Sequence, residues 1–149
     1  MTTSSRISLW LAALGIIAGV QCGGGNSSGG NGGDDAQEVY YQLTFEGSGY
    51  NPHDGNLLRA ALVDLSTGNV VKTEDTVIEN GAFQFVWADV LEDGGDYKLY
   101  YFADKSGNGE CNAPPVDHGW SLVLSNIQGD RTVSEVHNLN FDPNVCDPF

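Results

Sequence analysis

From Gln37 to the C-terminus apolar positions recur with a period of two, and no stretch shows the 3.6-residue period of an amphipathic helix. Val39, Tyr41, Leu43 and Phe45 alternate with Tyr40, Gln42, Thr44 and Glu46, which predicts a half-buried strand ended by Gly47-Ser48-Gly49. Asn51–Asn56 reads as a loop. Leu57–Leu65 is an apolar strand interrupted by Arg59 and Asp64, and it turns through Ser66-Thr67-Gly68-Asn69 into a strand from Val70 to Thr73 that continues or restarts at Val77-Ile78. Asn80-Gly81 is the strongest short hairpin signal in the chain. It leads to Phe83, Phe85 and Trp87 on one strand face. Gly94-Gly95-Asp96 opens Tyr97–Phe102, Trp120–Ile127 is a further strand, and Val133–Phe141 closes the set. Seven strands with no room for helical crossovers predict an all-β, antiparallel β-sandwich over residues 36–149.

The run Gly95-Asp96-Tyr97-Lys98-Leu99-Tyr100-Tyr101 resembles the entry to a late strand of immunoglobulin-like and transthyretin-like sandwiches. That resemblance implies a tyrosine hydroxyl bonded back across the corner. It concerns architecture and carries no activity.

The first 35 residues have a different composition. Arg6 is the only charge before an apolar run, Ile7–Val20, with Ser8 its one polar residue. The run is short for a bilayer of about 30 Å and fits the core of an export signal. Gln21-Cys22 follows, then Gly23–Asp35, a Gly/Ser/Asn tract without an apolar side chain. Apolar segment, Cys and polar tether together resemble a bacterial lipoprotein precursor. The resemblance implies a signal peptide over 1–21, a lipid on Cys22, and a flexible tether over 22–35 with a reach of about 20 Å. Gly23 after the cysteine, with no retaining Asp, implies the outer membrane of a two-membrane envelope. Ordinary cleavage nearby, leaving Cys22 a free thiol, is the alternative.

Charge narrows the partners. Six Lys and Arg stand against 20 Asp and Glu, a formal charge of −14. Such a chain lacks the cations that neutralise phosphate, so nucleic acid is excluded as a partner, and so is a polybasic grip on anionic lipid. Three cysteines less the anchor leave Cys111 and Cys146, which in an exported chain read as one disulfide or, failing that, as two buried thiols.

Candidate chemistry follows the Tyr97–Phe102 strand. In Asp104-Lys105-Ser106-Gly107-Asn108-Gly109-Glu110-Cys111-Asn112, oxygen-bearing side chains stand at positions 1, 3 and 5 and a glycine at 6. This resembles the first half of an EF-hand-type calcium loop, with Glu110 offering its carbonyl and Asn112 at position 9. Position 12 is Pro115, so Asp117 is the candidate for the missing carboxylate. Two carboxylates predict weak calcium affinity, about 10⁻⁴–10⁻³ M. A solvated polar turn explains the same residues without an ion.

His53, His118 and His137 are the only histidines. A transition-metal site would need them convergent; independent loop and strand histidines are the simpler reading. Trp120, beside His118, is either a ligand-stacking platform or core. No serine sits in a nucleophile elbow. The expectation is therefore a non-catalytic, lipid-anchored envelope module with a calcium-stabilised loop. Its alternatives are a module recognising a carbohydrate or an envelope protein through Trp120, Tyr50 and the Asn51–Asn56 loop, and a transition-metal protein or enzyme using His118 and Asp117.

Overall fold

The computed structural model describes residues 38–149. The expected signal segment, the lipidation site Cys22 and the tether lie outside these residues. Seven strands form: β1 (Tyr40–Ser48), β2 (Leu57–Asp64), β3 (Val70–Val77), β4 (Phe83–Glu92), β5 (Tyr97–Asp104), β6 (His118–Leu124) and β7 (Arg131–Val136). They make a three-stranded sheet, ordered β4-β1-β7, and a four-stranded sheet, ordered β3-β2-β5-β6. The chain is thus a β-sandwich. Every strand pair but one is antiparallel. The exception is β1 with β7, which run parallel from Leu43 opposite Arg131 to Ser48 opposite Val136. In the immunoglobulin arrangement the first two strands share a sheet; here β1 and β2 fall in different sheets.

The period of two becomes burial as expected. Leu43 and Phe45 of β1 and Phe83, Phe85 and Trp87 of β4 face inward, with their alternating neighbours outside. Leu58, Ala60 and Leu62 of β2 and Leu99 and Tyr101 of β5 meet them from the other sheet. Aromatic edges fill the interface: Phe45 packs edge-on against Phe83 at 5.1 Å and Tyr101 at 4.9 Å between centroids. Such pairs add roughly 0.5–1.5 kcal/mol beyond their buried area.

Two features decide where the loops go. Asn80 and Gly81 take positive φ, 54° and 69°, and Glu79 and Ala82 exchange both backbone bonds at 3.0 Å. The turn forms as predicted, yet the strands it joins enter different sheets, because the tip docks on a neighbouring segment. Tyr50 N–H donates to the Gly81 carbonyl at 2.9 Å, and Gly81 N–H donates to Asp54 Oδ1 at 3.0 Å. This clamps a 3₁₀ turn at Asn51–His53, which the sequence suggested only as loop, and drives the His53 ring inside.

The second feature is the C-terminus. The expected strand Val133–Phe141 ends at Val136, and Trp120–Ile127 is replaced by a strand beginning at His118 and ending at Leu124. Beyond β7 the chain crosses to the outer face of the four-stranded sheet. Asp142 N–H donates to the Gly119 carbonyl at 2.9 Å, Val145 is fully buried, and Phe149 lies edge-on against Phe102 at 4.9 Å. Ala61 and Phe102, on that outer face, are buried. The Cys111–Cys146 disulfide forms, with 5.5 Å between Cα atoms, and ties this tail to the β5–β6 loop.

Candidate functional site

The β5–β6 loop, residues 105–117, is organised by two buried carboxylates. Asp104, the last residue of β5, accepts on Oδ1 from the Ser106 hydroxyl at 3.0 Å and Gly107 N–H at 2.6 Å, and on Oδ2 from Gly109 N–H at 2.8 Å. Burial raises the Asp104 pKa, but the Gly109 and Gly107 N–H groups and the Ser106 hydroxyl outweigh it, so the carboxyl is held below its ordinary range. Asp117 is fully buried. Its Oδ1 accepts from Ser106 N–H at 2.9 Å and its Oδ2 from Asn112 N–H at 3.0 Å. Asp117 therefore grips the loop backbone at the third and ninth positions.

Three of the expected calcium ligands come together. Ser106 Oγ lies 3.0 Å from Asp104 Oδ1 and 3.4 Å from Asn112 Oδ1. Asn108 points differently: its Oδ1 accepts from Glu110 N–H at 2.9 Å, and its amide donates to Asn112 Oδ1 at 2.8 Å. The Glu110 side chain is exposed. Arg59, paired with Asp75 at 2.6 Å, reaches the Gly109 carbonyl at 3.4 Å.

On the far side of His118 the structure assembles what the sequence left scattered. His118 Nδ1 and His53 Nε2 are 3.2 Å apart, and the two rings meet at 4.9 Å between centroids. His137 stands 5.2 Å from His53. Trp120, Tyr50 and Phe141 wall the cluster, with Phe141 stacked on His118 at 4.2 Å. His53 is 1 % exposed. Burial first, then the neighbouring His118, His137 and Lys105, push its pKa down to about 4. Burial and Lys105 lower His118 as well. Both rings are therefore neutral at pH 7. His53 Nδ1 and His137 Nε2 are buried without a hydrogen-bond partner. Among the described residues, no three His, Cys, Asp or Glu side chains close around a single point.

His118 thus has His53 for its partner. The neighbouring Asp117 spends its oxygens on the loop backbone. Trp120 is 3 % exposed, stacked on Tyr101 at 5.4 Å, with its indole N–H donating to the Asn138 carbonyl at 3.1 Å. Tyr50 is fully buried, its hydroxyl 3.3 Å from that of Tyr101. Neither ring offers a face to a sugar: both are spent inside the sandwich. The burial of His53 has no local signal, since a histidine after Asn51-Pro52 carries no periodicity; the turn that holds it is pinned by the Tyr50 and Asp54 contacts to Gly81.

No family model matches the chain, and neither a curated protein nor a solved structure does.

Proposed function

We propose that the protein is an exported, lipid-anchored, non-catalytic module of a bacterial cell envelope, whose β-sandwich presents a calcium-stabilised loop between β5 and β6. The observation that carries the calcium reading is the grouping of Asp104 Oδ1, Ser106 Oγ and Asn112 Oδ1. Oxygens sharing one calcium at 2.3–2.6 Å lie about 2.8–3.5 Å from one another, and the separations of 3.0 and 3.4 Å fall in that range. Asp117 supports the same reading from behind, by fixing the backbone at Ser106 and Asn112. The anchor rests on the Ile7–Val20 run, Cys22 and the Gly-rich tether. The acidic charge keeps the sandwich off an anionic membrane surface.

Two experiments test the two halves. A Kd near 10⁻⁴ M predicts that 10 mM calcium stabilises the fold by about 2.7 kcal/mol, and magnesium at equal ionic strength by less, because its octahedral shell tolerates irregular ligands poorly. Asp104→Ala removes the calcium-specific part. Equal shifts for both cations, unaffected by Asp104→Ala, defeat the calcium reading. For the anchor, Cys22→Ser accumulates as unlipidated precursor or leaves the membrane fraction; unchanged membrane association defeats it.

A further inference from the structure

We infer that one end of the three-stranded sheet docks a basic, extended segment of a partner protein, which adds to the free edge of β7 and lays lysine or arginine side chains into the adjoining acidic groove. β7 pairs with β1 alone. A strand in a parallel pair turns the N–H and C=O groups of alternate residues to its neighbour and the rest away from it. Among the described residues, no backbone group answers those that β7 turns outward. Such an edge is a template for an extended peptide, whose main chain supplies the bonds while side-chain pockets supply the choice.

An open groove of about 820 Å³ adjoins that edge and sets the chemistry of the peptide. Ser134 and Glu135 of β7 line it together with Glu46, Val77, Glu79 and Phe83. No Lys or Arg lines the groove, and among the described residues none of its three carboxylates forms an ion pair. Glu46 is held in place across the sheet: the Ser134 hydroxyl donates to its Oε1 at 2.6 Å and the Gln84 amide to its Oε2 at 3.3 Å. A cleft lined by charges of one sign focuses their field on a counter-ion. Val77 and Phe83 offer apolar wall to the aliphatic stem of a lysine or arginine. Val136 and Leu139 stay exposed just past Glu135, where an apolar residue of the added strand can bury them. Arg131 stands at the opposite end of β7, so the partner's cations belong beside Glu135. A second copy of the chain is a poor occupant, because each copy carries −14. The groove shares no residue with the β5–β6 loop, so this reading and the calcium reading fail separately.

The test titrates the purified protein, at low ionic strength and neutral pH, with a labelled synthetic octapeptide that alternates lysine and valine. Fluorescence anisotropy reads the binding, and amide NMR locates it. The peptide is expected to bind, to shift the amides of Val133–Val136, and to weaken as salt is added. The matching glutamate/valine peptide does not bind. Glu46→Gln with Glu135→Gln weakens binding about tenfold, the effect of losing two partly screened ion pairs. Glu110→Gln with Asp147→Asn removes the same charge from exposed positions outside the groove and leaves binding within about twofold. Methylating alternate backbone nitrogens of the lysine peptide keeps its charge but removes its strand bonds, and abolishes binding. Thermal melting confirms that each protein variant is folded. Each of four results would overturn the inference: no binding of the lysine peptide, equal losses for the two pairs of substitutions, undiminished binding of the methylated peptide, or concentration-dependent shifts of Val133–Val136 in the peptide-free protein, which would give the edge to a second copy.

Discussion

Val145 lies directly over Gly119: a β-carbon added to the glycine would come within 2.6 Å of both Cγ atoms of the valine. The glycine in β6 is what lets the C-terminal tail reach the sheet surface. Asp142 N–H bonds to its carbonyl, and the Ser121 hydroxyl and Lys98 reach the Asp142 carboxylate. The tail converts an exposed sheet face into a second, smaller buried layer over Ala61 and Phe102.

Gly119→Ala should therefore overpack this layer and cost about 1–3 kcal/mol. Val145→Ala alone should also destabilise, by opening a cavity. The double variant should cost less than the two single changes added together, because each removes the other's conflict. Urea unfolding of the four proteins checks this, and strictly additive losses would show that the two side chains do not meet.

The disulfide closes 35 residues between the β5–β6 loop and the tail. In the loop-entropy treatment that is worth about 4 kcal/mol. Cys111→Ser/Cys146→Ser should lower the melting temperature by roughly 10–20 °C and loosen Phe149 from Phe102. Intact mass is the prior check: the native protein should gain 2 Da per bridge on reduction (two hydrogens). Two alkylatable thiols in unreduced protein would refute the bridge.

At the β4–β5 corner the Tyr97 hydroxyl accepts the Glu92 backbone N–H at 2.7 Å, and Gly95 leaves room for the ring. Tyr97→Phe keeps the packing and orphans that N–H. The expected loss is about 1–2 kcal/mol, read as a lower denaturation midpoint with an unchanged denaturant slope. A variant as stable as the parent would mean that water replaces the hydroxyl.

Acid should act through the histidine cluster before it reaches the carboxylates. His53 has a folded pKa of about 4, against about 6.5 in an unfolded chain. Between these values the unfolded state binds the extra proton. Stability is thus complete above pH 6.5 and falls as pH drops towards 4, by up to about 1.4 kcal/mol per pH unit. Asp142 adds a loss lower down: burial raises its pKa, but Ser121, Asn144 N–H and Lys98 outweigh that and hold it below its ordinary value. Denaturation midpoints measured from pH 7.5 to 4 check the sign, and His53→Gln should flatten the upper part of the slope. A flat parent profile would contradict the burial of a neutral His53.

Much of the site's frame was legible in the chain. Asp104 followed a strong strand pattern, and oxygen-bearing residues at alternate positions marked the loop. The roles within it were not. Asn108 turns to Glu110 and Asn112, and Asp117 braces the backbone, because each side chain bonds the donors and acceptors that the folded loop aims at it. The histidine cluster was illegible for a stronger reason. His53 and His118 are 65 residues apart, and no local pattern encodes their meeting.

By itself the sequence determined what local physics controls: strands from period-two alternation, and the Asn80-Gly81 turn from its tolerance of positive φ. These depend on neighbours along the chain. Only the tertiary structure decided which sheet each strand joined, that β1 and β7 run parallel, that the tail covers an outer face, and that three distant imidazoles pack together. Those outcomes depend on how two sheets bury their aromatic faces together. That packing is settled by contacts between residues far apart in sequence, and alternation alone does not rank them.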